Sequence, residues 1–483
     1  MRLASMLRMF GLLTMVLSLT MVPPVFVGWW YGDGDTSPFE LSLLVLLVTG
    51  LACWLPVRHS PMDLRNRDAF LVVTLFWVAI CVLGAVPLVL SHHPHMRLAD
   101  AVFESVSGLT TTGATVLSGL DALPHSILYY RGQLNFIGGM GIVVLAVALL
   151  PMLGIGGMQI YRAETPGPMK DDKLTPRITE TARRLWYVYV GLVAACTAAF
   201  WAAGMGLFDA VNHSFATLSL GGFSTHDDNI GYFHSPAVEV VAGIFTVLAG
   251  INFALHFLAW RGWDLRVYFR DPELRLYLWV MGLLVVLSSA TLYLKGTFSL
   301  GAALYHGFFQ ATSIAADNGL VTTGYPYDWP VLVVLLLMLG SFFGGCAGST
   351  CGGIKAIRFL LVYKQSIREM KLLTHPSACI AIKLGPRAVG ERVVTAVWAF
   401  YFLYVLAYCL ISLALVATGL DLVTAFGSVA GCLNNMGVGL GQTAGNFGSI
   451  NDPAKWLLSF AMLIGRLEVF PILLLFLPDF WRR

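Results

Sequence analysis

The sequence predicts an all-α polytopic membrane protein: ten spanning helices, two of them extra N-terminal helices that precede four pseudo-symmetric helix–pore loop–helix repeats. Three observations carry this. Apolar residues form 57% of the 483-residue chain against 12% charged, with mean hydropathy +0.75. That charge content is roughly half of what a soluble domain carries, so the bilayer must be the solvent. Ten apolar runs can each cross a hydrocarbon core of ~30 Å. Finally, four glycine-bearing segments recur at wide, similar intervals, each between two long apolar stretches.

The runs lie near residues 7–30, 40–57, 69–90, 127–151, 185–205, 237–260, 276–295, 330–363, 393–417 and 454–478. The first begins with Arg2 and Arg8, as a signal peptide would. It is long, has no clear small-residue cleavage site and is followed closely by another run, so a retained helix is expected. The 330–363 run is interrupted by Gly344-Gly345-Cys346-Ala347-Gly348-Ser349-Thr350-Cys351-Gly352-Gly353 and is expected to break there.

Basic residues set the orientation. With a cytoplasmic N-terminus, ten spans also leave the C-terminus cytoplasmic. Twenty-five of the 30 Lys and Arg then fall in cytoplasmic pieces, chiefly 58–67, 162–184, 261–275 and 355–392. Arg97, Arg131, Lys295 and Lys455 fall outside, and Arg466 stays within a span. The positive-inside rule favours this topology, and a net charge of +3 gives no footprint for nucleic acid. The eight cysteines lie in or beside apolar runs without metal or redox spacing. Cys346 and Cys351 flank the glycine-rich break, where a disulfide is conceivable but small packing residues fit better. His92-His93-Pro94-His95 reads as a polar turn more readily than as a metal site.

The four segments are Thr110-Thr111-Thr112-Gly113-Ala114-Thr115, Ser219-Leu220-Gly221-Gly222-Phe223-Ser224-Thr225, Ala316-Asp317-Asn318-Gly319-Leu320-Val321-Thr322 and Asn434-Asn435-Met436-Gly437-Val438-Gly439. Gly113, Gly222, Gly319 and Gly437 are 109, 97 and 118 residues apart. A half-length helix precedes each, at 100–111, 209–219, 302–315 and 421–433, too short to cross. Asp100 and Asp209 stand thirteen residues before their glycines as expected N-caps, with His306 and Thr424 at the same offset. A short helix stopping at mid-depth aims its partially negative end at the pore. Non-helical backbone at that depth must be enclosed or line a wet cavity. Glycine permits the carbonyl orientations needed, and a ring of carbonyls replaces the water shell of a monovalent cation. Packing glycines in ordinary membrane helices explain one such segment, not four at matched positions.

These segments, above all Leu220-Gly221-Gly222-Phe223-Ser224-Thr225 and Asn434-Asn435-Met436-Gly437, resemble the selectivity-filter loops of the Trk/Ktr/HKT superfamily of potassium transporters. The glycine-rich break followed by Ile354-Lys355 resembles that superfamily's GGxxGSTxGGIK intramembrane loop. Two extra N-terminal spans are similar to the bacterial TrkH/TrkG-type branch, and the likeness covers nearly the whole chain. The resemblance implies potassium uptake across the bacterial inner membrane. The implied filter comprises Thr111, Thr112, Gly113, Leu220, Gly221, Gly222, Asp317, Asn318, Gly319, Asn435, Met436 and Gly437, with potassium held at Thr111, Thr112, Leu220, Gly221, Asn318, Asn435 and Met436. It implies a homodimer with one pore per protomer and a cytoplasmic TrkA-type RCK ring, which binds the controlling nucleotide; this chain itself binds no cofactor. Basic stretches 162–184 and 355–392 are candidate docking surfaces, or orientation signals alone. The expected divisions are residues 1–68, 69–184, 185–275, 276–390 and 391–483.

Two positions depart from the superfamily's pattern. Val438 follows the fourth glycine, where proline is common. Asp317 stands two residues before the third, where an uncharged residue is usual. It either faces the ions, weakening discrimination against sodium, or turns behind the segment and accepts backbone hydrogen bonds. The second is favoured, because a carboxylate in a narrow filter would hold its ion too tightly.

Arg466 is expected near the middle of the last span, where an ionised group faces a cavity or a partner. The resemblance places it beside the 344–353 loop as a barrier to cations. Gly345, Ala347, Gly348, Ser349, Thr350, Gly352 and Gly353 would form that movable gate, although a static glycine hinge has the same composition. Glu468 lies on another helix face and is expected to pair elsewhere. Sodium or mixed-cation permeation remains the alternative transport reading. A membrane enzyme would need a nucleophile–base pair or a metal cluster at matching depth, and the spans offer little beyond His256.

Overall fold

Proline and polar caps decide where the helices start. Proline occupies the first turn of Val22–Tyr31, Ser37–Trp54, Pro236–Ala249, Pro272–Leu294 and Asp452–Arg466, where its missing N–H costs nothing. Asp271, Asp421 and Asn451 accept from the backbone N–H three residues on, at 2.7, 3.1 and 3.0 Å. The computed structural model describes residues 3–59, 66–152, 178–385 and 387–481. Arg162, Lys170, Lys173 and Arg177, among the candidate docking residues, lie outside the described residues.

Among the described residues, six helices are long and apolar enough to cross a membrane, or seven if one bent pair counts as a span. Of the ten apolar runs, three break, and only the one at 330–363 was expected to. Run 237–260 turns through 93° between Pro236–Ala249 and Phe253–Gly262. Asn252 starts the second piece by accepting from Ala254 N at 2.8 Å, and the Tyr277 side chain occupies the place of a Cβ on Gly250. Run 330–363 divides into Val331–Ser341 and Ala356–Thr374 around the glycine-rich loop, as expected. Run 454–478 also breaks: helix Asp452–Arg466 ends, Glu468 and Val469 take positive φ, and Phe470–Leu474 follows. Arg466 thus ends a helix, at the break about halfway along the run. The only β-structure among the described residues is a two-stranded hairpin, Lys383–Leu384 against Arg387–Ala388.

The half-length helices lie close to their expected bounds: Leu98–Leu109, Leu207–Ser219, Leu300–Ala315 and Leu422–Leu433. Asp100 and Asp209 are not their caps. Arg97 and Gly206 hold the cap positions, and the two carboxylates are committed sideways, to Lys455 Nζ at 2.6 Å and Thr225 Oγ1 at 2.7 Å. In the fourth, Asp421 is the cap and Thr424 lies within the helix. One apolar core joins the N-terminal helices and first half-helix to residues 400–472, through Phe103, Phe400 and Leu458. A second joins residues 188–356, through Phe200, Phe309 and Leu337. The glycine segments meet where these cores adjoin. Large apolar side chains such as Val331, Leu339 and Leu294 point outward, as a lipid-facing surface requires.

Candidate ion-conduction site

Each half-helix ends in the same way. The N–H of Thr112, Gly221, Asn318 and Met436 reaches back to the carbonyl of Ser107, Ala216, Ser313 and Gly431, 2.8 Å away in all four. The residue before each takes a left-handed conformation: Thr111 at φ 52°, Leu220 at 56°, Asp317 at 58° and Asn435 at 59°. This is a Schellman ending, normally built on glycine, here built on side-chain-bearing residues. One residue later come Gly113, Gly222, Gly319 and Gly437, with φ between 69° and 84°. Four short sequences that differ at most positions therefore share one backbone path.

Those glycines close a ring. A Cβ on Gly113 would lie 2.6 Å from the Gly221 carbonyl oxygen, and one on Gly222 would lie 2.5 Å from that of Asn318. A Cβ on Gly319 would overlap the Met436 oxygen, and one on Gly437 the Thr112 oxygen. The order runs first to second, second to third, third to fourth and fourth back to first. All four expected glycines come together, and the carbonyls of Thr112, Gly221, Asn318 and Met436 edge the same ring. Against the ring opens a cavity of about 210 Å³, lined by the four glycines and by Thr115, Arg131, Ser224, His226 and Asp227 among others.

Buried ionisable side chains brace the segments, and the sequence reading gave Glu104, Arg131 and Glu239 no such role. Glu104 is fully buried and accepts from Arg131 Nε at 2.8 Å, Thr115 Oγ1 at 2.9 Å and Val116 N at 3.0 Å. Arg131 also donates to Ser224 O at 2.8 Å, tying the first segment to the second. Glu239 repeats the device in the third, meeting His306 Nδ1 at 2.9 Å and accepting from Thr322 Oγ1 at 2.7 Å. Breaking a buried pair by removing one partner costs about 3–5 kcal/mol.

Asp317 does turn behind its segment, but it accepts no backbone hydrogen bond. The neighbouring donors are taken: Asn318 N and Gly319 N both reach Ser313 O, at 2.8 and 3.4 Å. Its Oδ2 instead faces Cys351 Sγ at 3.5 Å and the Cα sides of Gly344 and Gly353, while Oδ1 has no partner among the described residues. The carboxylate therefore faces the glycine-rich loop.

That loop, residues 344–353, lies against the ends of the half-helices. Thr350 Oγ1 donates to Leu218 O at 3.0 Å, Cys351 Sγ to Ala316 O at 2.8 Å, and Gly353 N to Asn434 O at 3.0 Å. A Cβ on Gly352 would overlap the Asn434 oxygen, and Gly348 packs on Asn252. Cys346 N donates to Gly250 O at 2.9 Å, and Ser349 Oγ to Cys346 O at 2.7 Å. Cys346 and Cys351 are free thiols, so the disulfide considered above is not formed. Arg466 donates to Thr350 O at 2.9 Å and to Gly138 O at 3.2 Å, bringing it to the loop. Lys355 Nζ bonds Cys351 O. Glu468 pairs with Arg358, not with Arg466, as its helix face implied. Glu273, which the sequence reading overlooked, is buried and accepts from Ala347 N at 2.6 Å and Ile357 N at 3.2 Å, holding both sides of the loop.

A family model described as a TrkH cation transport protein matches residues 38–483. The chain belongs to the TrkH family of cation transport proteins. Among TrkH-family relatives, it is 50% identical over 476 residues to the Trk system potassium uptake protein TrkH of Escherichia coli strain K12, covering 98% of each chain. It is 45% identical over 475 residues to TrkG of the same strain, again covering 98% of each. The crystal structure of the potassium transporter TrkH from Vibrio parahaemolyticus superposes with a TM-score of 0.92, at 46% identity and 100% coverage of both chains. These TrkH-family relatives are named as uptake proteins and transporters, not enzymes, in line with the expectation from sequence.

Proposed function

We propose that this chain takes up potassium through the glycine ring, which acts as a selectivity filter. The observation that carries the reading is the cyclic contact of four glycines with four neighbouring carbonyls. Oxygens from Thr111, Thr112, Leu220, Gly221, Asn318, Asn435 and Met436 would replace the ion's water shell. The names of the relatives, which are potassium uptake proteins, support the choice of ion. The burial of Asp317 against the loop favours potassium over the sodium alternative, since its charge does not edge the ring.

Below the filter, loop 344–353 with Arg466 forms the gate. Its small residues and positive-φ glycines let it move, and the guanidinium repels cations while the loop is in place. The chain crosses the membrane ten times with both termini cytoplasmic, its broken runs counted as crossings, and is organised in the four repeats after residue 68. It works as a homodimer in the bacterial inner membrane, under a cytoplasmic nucleotide-binding RCK ring. The charge distribution and the family resemblance support these assignments.

Growth at low external potassium tests the function. Expression should rescue a bacterium deficient in potassium uptake. Failure to rescue, with sodium flux in liposomes instead, would sink the potassium assignment.

A further inference from the structure

The second segment differs from the others at one position. The residue whose carbonyl edges the ring is Thr112, Asn318 or Met436 in three segments and Gly221 in the second. Thr112 Oγ1 accepts from Asn435 Nδ2 at 2.9 Å, and Asn318 Nδ2 donates to Thr246 Oγ1 at 2.7 Å. Met436 is anchored in the apolar core. Gly221 has no side chain to anchor.

Its place is filled from another helix. A Cβ on Gly221 would lie 2.6 Å from Asn135 Nδ2 and 2.8 Å from Asn135 Oδ1, and its three nearest atoms all belong to that one side chain. Asn135 sits on helix His125–Met152, is 0% exposed, and neither of its amide atoms has a hydrogen-bond partner among the described residues. An unpaired buried amide is destabilising, and leucine, of similar size, would serve plain helix packing better. Gly132 and Gly139 share its helix face and let the helix lie directly on Asn212 and Ser219 of the second half-helix. Asn135 is thereby delivered at a fixed depth behind Gly221. On the opposite side, the Gly221 carbonyl meets Gly113.

We propose that Asn135 is the positioning residue of the second segment, standing in for the side chain Gly221 lacks and so setting ion selectivity. The inference rests on the filter reading above. With Asn135 in place, the Gly221 carbonyl is confined between its prop and the first segment. Without it the segment can draw back, and a ring with one slack carbonyl separates potassium from sodium less well.

The test is potassium and sodium uptake by the full chain in proteoliposomes. Asn135→Ala should lower the potassium-to-sodium ratio about tenfold, and Gly221→Ala, which strikes Asn135, should lower it further. The double variant removes the clash and returns a side chain to the segment, so its ratio should come back to within about threefold of the unmodified chain. Simple additivity of the two losses, or an unchanged ratio in Asn135→Ala, overturns the proposal. Should Asn135→Ala not fold, Asn135→Ser carries the same expectation, and an unchanged ratio there overturns it equally. Gly113→Ser separates the two readings. A lowered ratio in Gly113→Ser with a flat response in Asn135→Ala rejects the role of Asn135 alone. A flat response in Gly113→Ser rejects the filter reading itself.

Discussion

The glycine ring and the glycine-rich loop use the same residue type and are held in opposite ways. In the ring one backbone motif occurs four times, with matching bonds of 2.8 Å and matching left-handed residues. Each segment is fixed by its own half-helix and then by contact with the next. The loop occurs once and is fastened from separate places: backbone bonds from Cys346 to Gly250 and from Gly353 to Asn434 are joined by the single side chains of Glu273, Lys355 and Arg466, with Asp317 facing it. A structure held by repeated local backbone bonds resists displacement. One that occurs once, with single side chains among its ties, is loosened by losing any of them. That difference suits a fixed filter above a movable gate.

The largest effect is expected where the ring is tightest. Gly319→Ala places a methyl group on the Met436 oxygen at φ 76°, so it carries both a clash and backbone strain of about 1–3 kcal/mol. Uptake should fall by about two orders of magnitude at equal expression, as measured by rescue of the potassium-deficient strain. Gly301→Ala, in the third half-helix with nothing within 4 Å, should change little. Near-normal uptake in Gly319→Ala would mean that the ring is not rigid, and the comparison would collapse.

Arg466→Ala comes next. It removes two charge-assisted bonds, each contributing about 1.5–3 kcal/mol, so the loop should leave its seat more often. Basal flux of the chain alone in proteoliposomes should rise about tenfold, with the ion preference unchanged. Unchanged flux would remove Arg466 from the gate.

How much of this was legible from the sequence depends on the range of each interaction. The half-helices, the glycine segments and the break at 344–353 are local features, and composition reveals each within a few residues. Arg466 stood out because an ionised group among apolar neighbours is rare at that depth. The bracing pairs did not. Glu104 lies 27 residues from Arg131, Glu239 67 from His306, and Glu273 74 from Ala347, separations with no helical or strand period. Nor did the 93° bend, since the run is apolar on both sides of Gly250 and its one local sign is Asn252, the cap of the second piece. For Asp317 the direction was right and the partner wrong, because nothing local tells that the neighbouring N–H groups are already used.

Glu273→Gln sharpens the comparison more finely. Glutamine keeps the oxygen that accepts from Ala347 N and Ile357 N but puts an amide NH2 in place of the other oxygen, a difference of about 1 kcal/mol. Basal flux should rise several-fold at most, with potassium-to-sodium preference retained, both read in the same proteoliposome assay. A shift in ion preference would show that loop and ring are not independent.

The smallest expected effect lies at the mouth of the cavity against the ring, where His226 clamps two connections together. Its ring stacks on Tyr232 with centroids 3.5 Å apart, bonds Asp121 through Nδ1, and faces Asp209 Oδ1 from Nε2 at 3.5 Å. Partial burial pulls the imidazolium's pKa down, but the bonds to Asp209 and Asp121 outweigh it, and the net shift is upward. A group whose pKa is raised on folding stabilises the fold fully below its unfolded value, about 6.5, and loses that contribution as pH climbs through the folded one. The unmodified chain should therefore exceed His226→Gln in thermal unfolding temperature most clearly near pH ~5.5, and the gap should close in mildly alkaline buffer. The clamp joins Asp121, beyond the first segment, to Asp209 on the second half-helix. Its loss should leave ion preference intact, because the ring beneath is fixed by its own backbone. A gap that widens with pH would instead mean that the neutral ring, through stacking on Tyr232, is what holds the mouth.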